Sequence, residues 1–219
     1  MKKIYNNQMS ETIILNLILA LSGGAMDSYS YIYRGKVFAN AQTGNIILFG
    51  INISRGNYKD AIRFLFPIIA FVLGIVIADI IRIKIKEESI HWRQISIVME
   101  IFLLFISSFI SRNYNQIANF LISFACGIQV ESFRSVRGNS VATTMCIGNL
   151  RNGTNYLDKY IVTRNAKFLK KSIIYFLIIL FFAIGAIIES ILIEVFYNKS
   201  IIFSVILLFV GFIIMNIEE

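Results

Sequence analysis

The stretch Phe38–Asn45 reads FANAQTGN: small, polar and uncharged, among long runs of Ile, Leu, Phe and Val. A near relative returns in the second half of the chain as SVATTMCIGN, residues 140–149. In so apolar a chain, such stretches bear on where the backbone can leave its helices. Unpaired backbone is tolerated at membrane depth only where protein buries it or it lines a wet cavity. A Gly-Asn break before the short apolar run IILFGINI is what a broken or re-entrant helix needs. Glycine supplies backbone freedom, and Thr or Asn is expected to cap the new helix. The N–H groups at such a helix start carry partial positive charge and can face an anionic or carbonyl-bearing solute. The alternative is an ordinary loop followed by a surface helix.

Composition sets the solvent. Of 219 residues, 57% are hydrophobic and 16% charged, against roughly 45–50% and about 25% in soluble domains. A compact soluble fold has too little interior to hide that excess. Six segments, about 12–33, 62–81, 95–111, 116–133, 172–193 and 200–216, approach the roughly 20 residues that span a bilayer. Two more, about 38–55 and 140–157, are interrupted by Gly, Asn and Thr. The expected fold is an all-α polytopic membrane protein, a single integral domain over residues 1–219.

The net charge is +8, but Lys and Arg lie between apolar runs. That pattern sets orientation and meets lipid headgroups, and it argues for the bilayer rather than nucleic acid as partner. With six spans and both termini in the cytoplasm, the inside carries 14 Lys and Arg residues and the outside 7. Eight spans would make the split 12 against 9. The positive-inside rule therefore favours six spans. Lys2 and Lys3 before an apolar run also resemble a signal peptide, but the polar pattern after it recurs internally, which keeps the first helix in the fold.

The recurrence extends beyond the breaks. Gly24, Arg34, Gly35 and Ala39 match Gly127, Arg137, Gly138 and Ala142 at a spacing of 103. Gly44-Asn45 matches Gly148-Asn149 one residue later in register, and FVLGIVIAD (Phe71–Asp79) matches FAIGAIIES (Phe182–Ser190) at a spacing of 111. Two repeats result, about 11–111 and about 115–216. Three spans per repeat make the second enter from the opposite side, an inverted arrangement shared by many secondary transporters.

Charged and polar residues inside the spans are the candidates for chemistry. Asp27 lies in GGAMDSYSYIY, within the first span. An acid near a helix centre costs roughly 2.5–3.5 kcal/mol on insertion scales, so it should face a cavity or a partner; the alternative is an interfacial carboxylate with Tyr anchors. Glu131 and Arg134, three apart, can pair on one helix face. Glu100 falls in IVMEIFLLF with no base within six residues, which suits a proton relay or a helix–helix hydrogen bond equally. Glu189 sits similarly, with Gly185 and Ala186 beside it suggesting close helix packing. The candidate solute site comprises Asp27, Ser30, Asn40, Thr43, Gly44, Asn45, Gln129, Arg134, Thr143, Thr144, Gly148 and Asn149, with Asp27 and Glu100 as the candidate proton relay.

Much chemistry is missing. His91 is the only histidine and lies in a basic loop, so no His-based metal site or dyad can be built. GxSxG, Walker A and HExxH are absent, and no cofactor or metal is expected. Cys126 and Cys146 have no CxxC partner and read as reduced, structural thiols. Nothing argues for an enzyme.

GGAMDSYSYIYRGKVFANAQTGN, then FVLGIVIAD and ACGIQVESFRSVRG, resembles the YoaK family of uncharacterised bacterial membrane proteins, a domain of unknown function. The family pattern is matched at Asp27, Phe38, Thr43, Gly44, Asn45, Phe71, Gly74, Gly127, Gln129, Arg134, Thr143 and Thr144. It is departed from at Val130-Glu131 and at Ile147-Gly148-Asn149. The resemblance implies the bacterial plasma membrane and brings no activity. The expected function is transport of a small polar or anionic solute, with proton coupling through Asp27 or Glu100. The alternatives are a non-transporting scaffold or accessory protein and, more weakly, a lipid-modifying intramembrane enzyme. The composition leaves room for a homo-oligomer.

Overall fold

A computed structural model describes residues 12–85, 92–136, 139–140 and 143–216. Lys2, Lys3, His91, Arg137, Gly138 and Ala142, named above, lie outside the described residues, and so do three of the four matches at a spacing of 103. The described residues form eight helices: α1 Ile13–Ile32, α2 Gln42–Ser54, α3 Tyr58–Lys84, α4 Trp92–Ser107, α5 Asn115–Ser132, α6 Cys146–Thr163, α7 Ala166–Phe196 and α8 Ile202–Asn216. Two-residue strands, Ser135–Val136 and Asn139–Ser140, pair antiparallel between α5 and α6. The six expected spans correspond to α1, α3, α4, α5, α7 and α8, and the interrupted segments to α2 and α6.

By length and apolar content, α1, α3 and α7 with the turn after it are able to cross a bilayer. The outer faces of α3 and α7 stay greasy, with Ile69, Val72, Ile187 and Ile191 exposed, as lipid contact requires. α4 and α8 are shorter, at 16 and 15 residues. α5 has 18 residues and carries Asn119, Ser123 and Gln129 inward, which dilutes its apolar content. This is a helical membrane protein.

Close packing follows from the repeated glycines. α1 packs along α7, and α5 along α3. A methyl group at Gly24 would overlap the Phe182 carbonyl, and one at Gly185 would overlap that of Leu21. At the other crossing, Gly127 lies on the Phe71 carbonyl and Gly74 on that of Phe124. Phe71 and Phe182, like Gly74 and Gly185, are the residues matched at a spacing of 111. The two crossings are therefore built from the same residue types in the same order, each joining a helix of one half to a helix of the other. Small residues that let backbones approach are how helices associate where no hydrophobic drive exists between them.

Helix ends gather in two groups. In the first, fully buried Arg34, just past the end of α1, donates to the Tyr29 hydroxyl (2.7 and 3.0 Å), the Ser107 carbonyl ending α4 (3.0 Å) and Asn115 starting α5 (3.2 Å). The Tyr29 hydroxyl donates to the Asn198 carbonyl between α7 and α8, and Asn198 Nδ2 donates to the Ser108 carbonyl. In the second, Arg93 at the start of α4 donates to the Ser132 carbonyl ending α5. Gln94 donates to Asn216 ending α8, and Arg82 near the end of α3 pairs with Glu131 at 3.5 Å. α2 folds back on α3 and α6 on α7, with Ser172 Oγ donating to the Gly153 carbonyl at 2.8 Å.

Candidate functional site

Gly23 is the eleventh of the twenty residues of α1, and both polar breaks touch it. Asn40 Nδ2 donates to the Gly23 carbonyl at 3.1 Å. From the other half, Thr144 Cγ2 lies where a Cβ on Gly23 would come within 2.6 Å. The lack of a side chain at Gly23 thus lets the second break reach the middle of the first helix. One turn further along α1, Asp27 Oδ1 accepts from the Asn40 N–H at 2.7 Å.

Between the breaks lies a cavity of about 560 Å³. Asn40, Ala41, Gln42 and Thr43 line it from one side and Thr144 to Asn149 from the other, with Asn152 below. Phe71 and Phe182, the matched pair from α3 and α7, supply its apolar walls. Asp27 is the only formally charged residue among the described lining residues. Asn40 Oδ1 and Thr144 Oγ1 are buried there without a hydrogen-bond partner. A buried polar atom left unpaired is costly, and among the described residues no hydrogen bond offsets that cost for either atom.

The expected side-chain caps are not used. α2 begins at Gln42 behind Ala41, and α6 at Cys146 behind Met145, neither of which makes a side-chain cap bond. The physical reason differs between the halves. At the first break the carboxylate of Asp27 approaches from α1 and takes the Asn40 amide, with the Ala39 and Ala41 amides directed at it too. An anionic solute at the start of α2 would meet that carboxylate. At a spacing of 103 the counterpart of Asp27 is Val130, and among the described residues no acceptor rests on the amides of Cys146, Ile147 or Gly148.

Comparison with known proteins adds lineage. A family model described as "Protein of unknown function (DUF1275)" matches residues 15–214. The chain belongs to this family. The transmembrane protein YoaK of Bacillus subtilis (strain 168), described as a UPF0700 protein, is 26% identical over 201 residues, covering 88% of each chain. No solved structure matches.

Within this DUF1275 chain, the predicted site residues divide. Asp27, Asn40, Thr43, Thr144, Gly148 and Asn149 come together on the cavity. Ser30 is fully buried and donates back to the Asp27 carbonyl within α1. Asn45 is fully buried too; its Oδ1 accepts from the Phe38 N–H (3.0 Å) while Nδ2 donates to the Phe38 carbonyl (2.7 Å). It closes the loop instead of facing a solute. Gly44 leaves room for the Phe38 ring, which a Cβ would meet at 2.7 Å, and that ring stacks on Tyr31. Gln129 donates to the Leu19 carbonyl and to Thr143 Oγ1, joining α5 to α1 behind the cavity. Arg134 is half-exposed and pairs with Glu131 at 3.0 Å, the pairing expected from their spacing, and it does not line the cavity.

Glu100 is fully buried on α4 with neither carboxylate oxygen hydrogen-bonded. It does not line the cavity, yet Cys126 lies within electrostatic reach of both Glu100 and Asp27. Glu189 is likewise buried and unbonded, near Tyr29 and near Ser200, whose hydroxyl is turned to the Tyr197 carbonyl. Sequence reasoning missed Phe71 and Phe182 as cavity walls, although the repeat had paired them. It also missed Arg34, whose charge near a helix end reads as a topology signal until its partners are known.

Proposed function

We propose that this protein is a carrier for a small polar solute, housed between two halves that enter the bilayer in opposite directions. The carrying observation is a cavity to which both polar breaks contribute, meeting at the middle of α1. Broken segments converging from paired repeats are how many secondary transporters build a site.

The helix ends support six spans. The end of α1 keeps company with the ends of α4 and α7 and the start of α5. The end of α3 meets the end of α5, and the start of α4 meets the ends of α5 and α8. On this reading α2 and α6 each return to the face they left, and α1 and α5 run in opposite directions. The halves are residues about 11–111 and about 115–216 of one domain. The positive-inside count supports a reading with both termini in the cytoplasm, and the membrane proposed is the bacterial plasma membrane. Asp27 contacts the solute, and Glu100, within electrostatic reach of Cys126, serves proton coupling. No enzymatic role is assigned.

Metabolite profiles of a deletion strain and an overexpressing strain test this reading. One class of small polar metabolites should shift in opposite directions in the two, and the shift should vanish with Asp27→Asn at equal membrane abundance. Identical profiles with abundant membrane-inserted protein would contradict it.

A further inference from the structure

The two breaks repeat in sequence but not in charge. On one side of the cavity stands the Asp27 carboxylate, seated on the Asn40 amide in the loop just before α2. On the other, the start of α6, an 18-residue helix, presents the amides of Cys146, Ile147 and Gly148 with no acceptor among the described residues. A Cβ at Gly148 would meet nothing within 4 Å, and Met145 and Ile147 beside it are exposed. An uncapped helix start favours an anionic group. Two unpaired atoms, each more than nine-tenths buried, complete the arrangement. Asn40 Oδ1, beside Asp27, can only accept a hydrogen bond; Thr144 Oγ1, just before α6, can donate one.

We infer that the cavity between the breaks binds a small zwitterion of the amino-acid type, its ammonium group on Asp27 and Asn40 and its carboxylate on the start of α6 and Thr144. This rests on the carrier reading above and narrows its solute. Phe71, Phe182, Met145 and Ile147 also line the cavity, so an apolar side chain fits the remaining wall. A bare anion would find the α6 start but would face Asp27 unpaired. An inorganic divalent cation would find only one carboxylate, where such ions take several oxygen ligands.

Cys146 lines the same cavity and reports on its occupation. In the full-length protein in lipid vesicles, alkylation of Cys146 by a small maleimide is followed by peptide mass spectrometry. Leucine should slow it. Isoamylamine, which lacks the carboxylate, and isocaproate, which lacks the ammonium, should each protect about tenfold more weakly, as expected for one lost charge-assisted contact. Asp27→Asn should weaken protection by leucine while leaving isocaproate unchanged or improved, and Thr144→Val should weaken leucine and isocaproate together. Equal protection by isocaproate and leucine would overturn the zwitterion inference. No protection by leucine, with protection by an unfractionated metabolite extract, would overturn it and leave the carrier reading standing. A Cys146 that reacts at the rate of a free thiol under every addition, or that never reacts, would remove both.

Discussion

Asn45 shows how one polar side chain can be read in two ways. In FANAQTGN it has the composition of a solute ligand. In the fold it bonds both backbone groups of Phe38 and Gln42 Oε1 as well, and is sealed from solvent. The loop it closes holds Asn40 in place against Gly23 and Asp27. Asn45→Ala should therefore lower stability by about 1–3 kcal/mol, because the Phe38 N–H and carbonyl lose their partner in a buried place. Thermal unfolding in detergent checks this: a clear fall in the midpoint is expected, and an unchanged midpoint would return Asn45 to the cavity wall. Polar residues in a break are legible from sequence as a group. Which of them point inward depends on how the loop closes, and that depends on contacts seven residues apart.

At the scale of elements, the helices were largely legible and their pairing was not. Gly24 with Gly127, and the phenylalanine–glycine pairs of α3 and α7, stood out because glycine matches are rare by chance in an apolar chain. Their meaning, two equivalent crossings, required the structure, since spacing alone does not say which helix a glycine faces. Gly24→Ala and Gly127→Ala should both destabilise, by about 1–3 kcal/mol or more, because each new methyl group meets a backbone carbonyl that cannot give way. Gly50→Ala in α2, where nothing lies within 4 Å, should instead be neutral or stabilising by up to about 1 kcal/mol from helix propensity. Thermal unfolding of the three variants side by side reads this out. Equal effects at all three positions would contradict the crossings. Capping was the less legible feature: Thr43 and Asn45 suggested local caps, and the acceptor for the first break came from Asp27, more than a dozen residues earlier.

At the scale of the whole molecule, two similar crossings flank a cavity whose two sides are unequal. The packing of α1 on α7 mirrors that of α5 on α3, and Phe71 mirrors Phe182 across the cavity. Yet Asp27 has Val130 as its counterpart, and Arg34, bound by Tyr29, Ser107 and Asn115, ties the helix ends of both halves at one end of the bundle. The matches at spacings of 103 and 111 were visible in the sequence. The asymmetry was harder to see, because an acid facing a valine reads as an ordinary gap in an alignment. A shared site exists only where the two breaks meet. Thr43→Cys with native Cys146, in a Cys126→Ser background, puts one thiol on each break, and a short bifunctional thiol reagent in vesicles measures their proximity. An efficient crosslink within one chain is expected. Two singly modified thiols without a crosslink would mean that the breaks stay at opposite surfaces, about 30 Å apart, and that no shared cavity exists.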